Sequence, residues 1–181
     1  MRNSLWIIAL AIMSLAACVS APPPGKISDT PVAQGTLSVA EQAVDICGRT
    51  FPNVNRALDG MLGAGFEETE ERYEDGGKEL DDASRQVRVQ LGEQRADRGR
   101  KSYVCLISVI GMTPEQGFAL VQPWVQRYGA ITNAEAGQGL SPRAVQAWQS
   151  MTPARIAFIS ASKANETFRE AGASVRLIII Q

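Results

Sequence analysis

The chain has 181 residues, of which 45% are hydrophobic and 20% are charged, and its formal net charge is −1 at pH 7. This length and composition indicate a single globular domain. The nearly neutral balance gives no electrostatic case for nucleic acid, whose binders carry a concentrated basic face, so we expect no nucleic-acid partner. The chain contains no histidine, which excludes Ser-His and Cys-His catalysis and the commonest general base. We therefore expect a protein that is not an enzyme and has no cofactor.

The first 18 residues have the order of a secretory signal. Arg2 precedes an apolar run over residues 5–17. This run is too short for a transmembrane helix, which needs about 20 residues. The run ends in Leu15-Ala16-Ala17-Cys18, which resembles the lipobox of bacterial lipoproteins. The resemblance implies that residues 1–17 are removed and that Cys18 carries a diacylglycerol, usually with a third acyl chain on its amine. An ordinary cleaved signal with an incidental cysteine is the alternative.

The residues after Cys18 predict where the protein is held. Two or three acyl chains, at about 0.8 kcal/mol per buried methylene, would anchor it to a membrane almost permanently. Residue 19 is Val rather than Asp, which in Gram-negative bacteria resembles lipoproteins of the outer membrane, so the domain should face the periplasm. Residues 18–37 contain three consecutive prolines and no apolar period, which indicates a Pro-rich tether. Residues 38–181 should form the domain.

Helix signals begin at Ser38. Ser38 and Glu41 match a capping box, so a short helix should follow and end at Gly48. Pro52 fits a first helical position, and apolar residues then recur at helical spacing until Gly63. This amphipathic segment is the first of two predicted main helices.

The second main helix should begin at Thr113, where Pro114 and Gln116 complete an N-terminal capping pattern. Pro123 lies inside this helix and should kink it, because proline removes one backbone hydrogen bond. Trp124 is expected in the core.

Five segments predict strands. Residues 86–91 alternate between polar and apolar side chains, as in a half-buried strand, and residues 103–110 fit a more deeply buried one. These two should form a hairpin. Residues 144–148 fit a strand or a short helix, and the strand is favoured. Residues 155–160 and 175–180 give the last two strands.

The order of these elements predicts an α+β two-layer sandwich, in which two main helices pack on a largely antiparallel sheet. A helix followed by strands occurs twice, over residues 52–110 and 113–180, which suggests a pseudo-repeat. The two segments share too little residue identity to establish a duplication.

Two cysteines remain once Cys18 is assigned to the lipid. In an oxidising compartment Cys47 and Cys105 should form a disulfide. Two buried thiols are the alternative. A zinc site would need carboxylates to complete it, because only two thiols and no histidine are available, so we expect no metal.

One loop is a candidate binding site. Asn133, Gln138 and Arg143 surround a Gly-Gln-Gly sequence and could line a polar pocket. The loop has two glycines but lacks the lysine of a phosphate loop. A connection that simply turns from helix to strand is the alternative.

Three further patterns have competing interpretations. Ser160 and Lys163 match the Ser-x-x-Lys of penicillin-recognising enzymes, but the companion motifs are missing. An acidic cluster could act in a glycosidase, although a solvated strand and turn explain it more simply. A basic patch could contact lipid headgroups or the acidic cluster, and a charged hairpin loop is its simpler interpretation. The acidic cluster is Glu67, Glu68, Glu70, Glu71, Glu74 and Asp75, and the basic patch is Arg95, Arg98, Arg100 and Lys101.

The sequence thus predicts a lipid-anchored, non-catalytic envelope protein whose periplasmic domain binds or helps to assemble another envelope component. Its partners would be the membrane, through the acyl chains on Cys18, and an envelope protein or cell-wall component. A binder of small ligands or wall fragments, an inhibitor of wall-degrading enzymes and, last, a hydrolase that uses the acidic cluster are the alternatives.

Overall fold

A computed structural model describes residues 33–73, 77–96, 99–133, 144–152, 155–163 and 172–181. These residues form three helices and eight strands. The helices are α1 (Gln34–Thr50), α2 (Val54–Gly63) and α3 (Pro114–Tyr128). The strands are β1 (Glu67–Tyr73), β2 (Gly77–Asp81), β3 (Val87–Arg95), β4 (Lys101–Ile110), β5 (Ile131–Thr132), β6 (Ala144–Thr152), β7 (Arg155–Lys163) and β8 (Gly172–Ile180).

All eight strands belong to one antiparallel sheet, in the order β1-β2-β3-β4-β8-β7-β6-β5. β4 and β8 lie at its centre and pair from Ser102↔Ile180 to Ile110↔Gly172. They join the first four strands to the last four. The sheet therefore dominates the fold, and the three helices pack against it.

The predicted two-layer sandwich of two main helices is therefore wrong. The prediction left β1 ambiguous and missed β2, because both are rich in charged residues and lack a clear apolar alternation, and it missed β5, which has only two residues. The predicted succession of a helix and then strands does occur twice, as α2 with β1–β4 and α3 with β5–β8, and the sheet order mirrors the two sets of strands about the β4–β8 pair. α1 is an additional helix before the first set.

The core lies between the helices and one face of the sheet, which we call the helix face. Alternate residues of each central strand point to this face because side chains alternate along a strand. Their neighbours point to the opposite face, which we call the open face. The helix-face residues of the four central strands are Val87, Val89, Leu91, Cys105, Ile107, Val109, Ala157, Ile159, Ala161, Ala173, Val175, Leu177 and Ile179, and all pack in one cluster with the buried sides of α1, α2 and α3.

The helix boundaries differ in part from the sequence pattern. α1 begins at Gln34, so Ser38 is inside the helix, where its hydroxyl donates a hydrogen bond to the Gln34 carbonyl. α2 is capped by Asn53, whose side chain accepts a hydrogen bond from the Arg56 amide, and Pro52 precedes this cap.

The prediction for α3 is confirmed at its start. Thr113 and Gln116 form a reciprocal capping box. The helix continues through Pro123, and Trp124 on its next residue is buried, as expected. Residues 144–148 lie in β6, which confirms the favoured strand.

Candidate functional site

The predicted cysteine pair is present in the domain. The Sγ atoms of Cys47 in α1 and Cys105 in β4 are 2.12 Å apart, which is disulfide distance, and both residues are fully buried. The structure therefore places the two cysteines at the distance that the predicted disulfide requires. The pair connects a helix to a central strand that is 58 residues further along the chain. Both cysteines belong to the buried core, so the pair stabilises the packing of α1 on β4 and is not a reactive surface site.

The predicted lipidation site, Cys18, lies outside the described residues. So do two of the three residues of the predicted binding loop, Gln138 and Arg143. Asn133 is described, at the end of β5. Its side-chain amide donates to Gln149 Oε1 at 2.7 Å, and its backbone N–H donates to the Ala147 carbonyl at 3.0 Å. These bonds attach Asn133 to β6. The polar binding loop remains a prediction.

The Ser-x-x-Lys match does not have the geometry of a catalytic pair. Ser160 and Lys163 are three residues apart on β7, and residues at odd spacing on a strand point to opposite faces. Ser160 is buried on the open face, whereas Lys163 is exposed at the strand end and pairs with the helix-face residue Ala173. Lys163 therefore cannot take a proton from Ser160 directly.

The acidic cluster lies at the edge of the sheet. Glu67, Glu68 and Glu70 are exposed on β1, and Lys78 of β2 forms an ion pair with Glu68. Side chains alternate along a strand, so Glu67 points to the opposite face from Glu68, and Glu68 is already engaged by Lys78. Glu74 and Asp75 lie outside the described residues, as does the side chain of Glu71.

A charged network that the sequence patterns did not reveal lies on the open face, at β2 and β3. Arg88 donates two hydrogen bonds to Asp81, from Nε at 2.7 Å and from Nη2 at 3.0 Å. Gln90 donates to Glu79 Oε2 at 2.6 Å. Arg88 Nη1 is also 3.1 Å from Glu79 Oε1, but this oxygen receives no hydrogen bond of good geometry.

Glu79 is the buried member of this network, with 5% of its surface exposed. A buried carboxylate is costly unless it is paired. Arg88 therefore serves two carboxylates at once, and the network ties β2 to β3. A signal was present in the acidic residues at alternate positions, Glu79 and Asp81, but the register of β2 against β3 was needed to interpret it.

Small hydroxyl side chains continue from this network across the open face. The register places Arg88 beside Ser108, Ser108 beside Ser174, and Ser174 beside Ser162. All three serines are buried. The open face therefore combines charged and hydroxyl groups at this end with the apolar side chains of Val104, Phe158 and Ile178 further along the strands.

The basic patch lies at the other end of β3 and β4. Arg95 pairs in register with Lys101, and Lys101 forms an ion pair with Glu93 at 2.5 Å. The hydrogen bond to Glu93 raises the pKa of Lys101. Arg95 and Arg100 are exposed, and Arg98 lies outside the described residues.

A small cleft separates α1 from α3. Its volume is about 80 Å³, and Asp45, Arg49, Trp124 and Arg127 are among the residues that line it. Ligand pockets usually enclose about 300–1,000 Å³, so this cleft has room for a few water molecules. Arg49 is engaged there by Asp45 at 2.6 Å.

Comparisons with known proteins give no family. No protein-family model matches the chain, and neither a curated protein nor a solved structure matches it. Within the described parts of the chain, no three His, Cys, Asp or Glu side chains are grouped so that they could hold a metal ion. No helix among the described residues is long and apolar enough to cross a membrane.

Proposed function

We propose that this protein is a lipid-anchored, non-catalytic protein of the bacterial envelope whose periplasmic domain binds or helps to assemble another envelope component. The anchor would be Cys18, at the end of the Leu15-Ala16-Ala17-Cys18 sequence. The membrane of residence would be the outer one, because Val stands at position 19.

The observation that supports the envelope most directly is the Cys47–Cys105 pair. Disulfides persist in oxidising compartments and are rare in the cytosol. A protein that an N-terminal signal exports to an oxidising compartment can form a disulfide from a cysteine pair at this distance. If Cys47 and Cys105 are bonded to each other, the thiol of Cys18 would be available for lipid.

Support for a binding role comes from the asymmetry of the sheet. All three described helices pack on the helix face, whereas the open face carries the Glu79–Arg88–Asp81 network, in which the Arg88 side chain is 31% exposed. Polar groups fixed by charge-assisted hydrogen bonds give orientation to a protein contact. No specific observation favours a small-ligand binder, since Asn133 is engaged by β6 and the α1–α3 cleft is small.

The test of the anchor is metabolic labelling with an alkyne fatty acid, followed by membrane fractionation, in cells that express the full chain. Wild-type protein and the neighbouring control Ser20→Ala should be labelled and remain with the membranes. Cys18→Ser should lose the label and appear as an unprocessed or soluble species. Unchanged labelling and extraction of Cys18→Ser would contradict the proposal.

The membrane of residence has a separate test. In a Gram-negative host, Val19→Asp should move the labelled protein to the inner-membrane fraction of a density gradient, while Val19→Ala should stay in the outer-membrane fraction. If Val19→Asp stays with the outer membrane, the sorting part of the proposal is wrong.

A further inference from the structure

The fold gathers five cations at one end of the sheet, which we call the basic end: Arg95, Arg100, Lys101, Arg127 and Arg155. The ends of neighbouring strands meet there. Arg95 pairs with Lys101, and the backbone of Lys101 exchanges two hydrogen bonds with Gln181, at 2.9 and 3.0 Å. Ile156 pairs with Ile180, so the preceding residue, Arg155, lies at the same end.

The last helix adds to the basic end. The guanidinium of Arg155 lies 5.0 Å from the centre of the Tyr128 ring, at the C-terminal end of α3. Arg127 is the neighbouring residue on α3 and is exposed. Arg127 and Arg155 are far from residues 95–101 in the sequence, so the fold itself enlarges the basic patch.

The carboxylates near these cations are engaged by other side chains or by Lys101. Glu93 pairs with Lys101, and Asp45, which lines the α1–α3 cleft together with Arg127, pairs with Arg49. No ion pair joins Arg95, Arg100, Arg127 or Arg155 to a carboxylate of the described chain. Within the described residues, four cations without an ion pair are thus grouped at one end of a chain whose formal net charge is −1, and such a group makes a local positive field that attracts anions and speeds their association.

The cations are spread over a surface and do not converge on a cavity. Four of them lie at the ends of β3, β4 and β7, with β8 between β4 and β7, and Arg127 lies on α3. Adjacent strands are about 4.8 Å apart, so these strand ends alone cover about 14 Å. A single small anion cannot contact such a row, whereas a polymer with repeated anionic groups can.

The first described helix, α1, begins at the opposite end of the sheet from the basic end. Thr36 of α1 donates a hydrogen bond to the Gln86 side chain at 2.7 Å, and the Gln86 carbonyl accepts one from Ile110 at the end of β4. β4 has ten residues, which at about 3.4 Å each separate the two ends by roughly 30 Å. A domain tethered through the N-terminal segment keeps its basic end free of the attachment point.

We propose that the basic end binds a carboxylate-bearing polymer of the cell wall, through arginine–carboxylate pairs spaced along the sheet end. This inference rests on the proposed function for its location in the envelope, and it specifies the partner. Arginine matches carboxylate geometry with two parallel hydrogen bonds. The attachment of the tether at the opposite end favours a polymer that lies away from the membrane over the lipid headgroups beneath the anchor.

The test is co-sedimentation of the full acylated chain, in detergent micelles, with purified insoluble cell-wall sacculi. Arg95→Gln/Arg100→Gln should weaken binding about fivefold, since two exposed ion pairs are lost. Arg56→Gln/Lys163→Gln removes the same charge from exposed sites on α2 and at the entry end, and should change binding less than twofold. Thermal unfolding of both variants serves to verify that the fold is kept.

Two further arms identify the partner. Sacculi whose carboxylates have been amidated should lose most of the binding, and binding to native sacculi should weaken as salt rises, because exposed pairs are screened. Equal weakening by both double variants, unchanged binding to amidated sacculi, or stronger binding to anionic phospholipid vesicles than to sacculi would overturn the inference. Because Cys18→Ser should bind sacculi like the wild type, failure of the anchor and failure of the basic end give different results.

Discussion

The first four strands and the last four are held to their helices by different chemistry. On the first side, a covalent link joins α1 to β4 through Cys47 and Cys105. On the last side, α3 packs through aromatic side chains: Phe118 meets the Trp148 ring edge-on at 6.4 Å, and Trp124 is buried. A disulfide limits the unfolded chain, whereas aromatic packing depends on close complementarity in the folded one.

α1 is the element that connects the two sides. It is linked to β4 by Cys47, and the indole N–H of Trp124 in α3 donates to the Val44 carbonyl of α1 at 2.7 Å. Gly48, one turn after Val44, leaves room for the indole ring: a Cβ atom there would be 2.9 Å from Trp124 Cδ1. One helical turn therefore contacts both sides, and substitutions on it separate their contributions.

The largest expected effect is on the first side. Cys47→Ala/Cys105→Ala opens a link over 58 residues, and the chain-entropy model predicts a loss of about 4 kcal/mol in the free energy of unfolding. Urea unfolding followed by tryptophan fluorescence measures it. Cys18→Ser is the matched control and should leave the domain's stability unchanged. A loss below about 1 kcal/mol for the double variant would mean that packing alone holds α1 to β4.

Trp124→Phe should be next in size. It removes the hydrogen bond to Val44 and leaves a cavity, and we expect a loss of about 2–3 kcal/mol. Trp148→Phe also replaces a buried indole with a smaller ring, but it breaks no hydrogen bond to α1. Its loss in the free energy of unfolding should therefore be about 1 kcal/mol smaller than that of Trp124→Phe. Equal losses for the two variants would show that the α1–α3 hydrogen bond adds no stability beyond ring packing.

Gly48→Ala tests the close approach of the two helices. Alanine gains about 1 kcal/mol of helix propensity over glycine, but its Cβ would overlap the Trp124 ring, and overpacking costs about 1–3 kcal/mol. We therefore expect a net destabilisation of about 1 kcal/mol. Gly35→Ala lies in the same helix with nothing within 4 Å of the added Cβ, and it should stabilise. The same sign for both changes, measured by thermal unfolding, would contradict this view of the α1–α3 contact.

The smallest effect concerns the turn between β2 and β3, on the first side. Burial raises the pKa of Asp82, but hydrogen bonds donated by the Ser84 hydroxyl and by the amides of Val87 and Ser84 outweigh it, so the pKa lies below its ordinary value of 3.8. A lowered pKa stabilises the fold above about pH 4, and this contribution disappears as the pH falls through the folded-state value.

Asp82→Asn should therefore lose less than about 1 kcal/mol at pH 7, because the carboxylate is partly exposed to solvent. The difference from the wild type should shrink as the pH falls below 4. Unfolding free energies measured from pH 7 to pH 3 check this, and a difference that grows on acidification would have the wrong sign.

The sequence predicted the elements that carry strong local signals. The capping box at Thr113 identified the start of α3, and the apolar runs identified β4 and β8, because buried central strands are apolar on both faces. β1 was ambiguous because an edge strand faces solvent and can be filled with charged residues such as Glu67 and Glu68. The N-terminus of α1 was misplaced because Ser38 and Glu41 match a cap pattern inside a longer helix.

The candidate sites also divide into those with a local sequence signal and those that depend on the fold. The Cys47–Cys105 pair followed from counting thiols, and the local part of the basic end was visible between Arg95 and Lys101. Arg155, from a distant strand, could be added only once the strand order was known. The pairing of Glu79 with Arg88 likewise depends on the register of β2 and β3, which no local pattern sets.

Intact-mass and fragment mass spectrometry of the protein extracted from membranes tests the central claim most directly, because one measurement reports the lipid and the disulfide together. The account predicts a chain that starts at Cys18, carries the mass of two or three acyl chains on that residue, and contains a Cys47–Cys105 cross-link. A chain with an unmodified Cys18, or with Cys18 in a disulfide with Cys47 or Cys105, would contradict it.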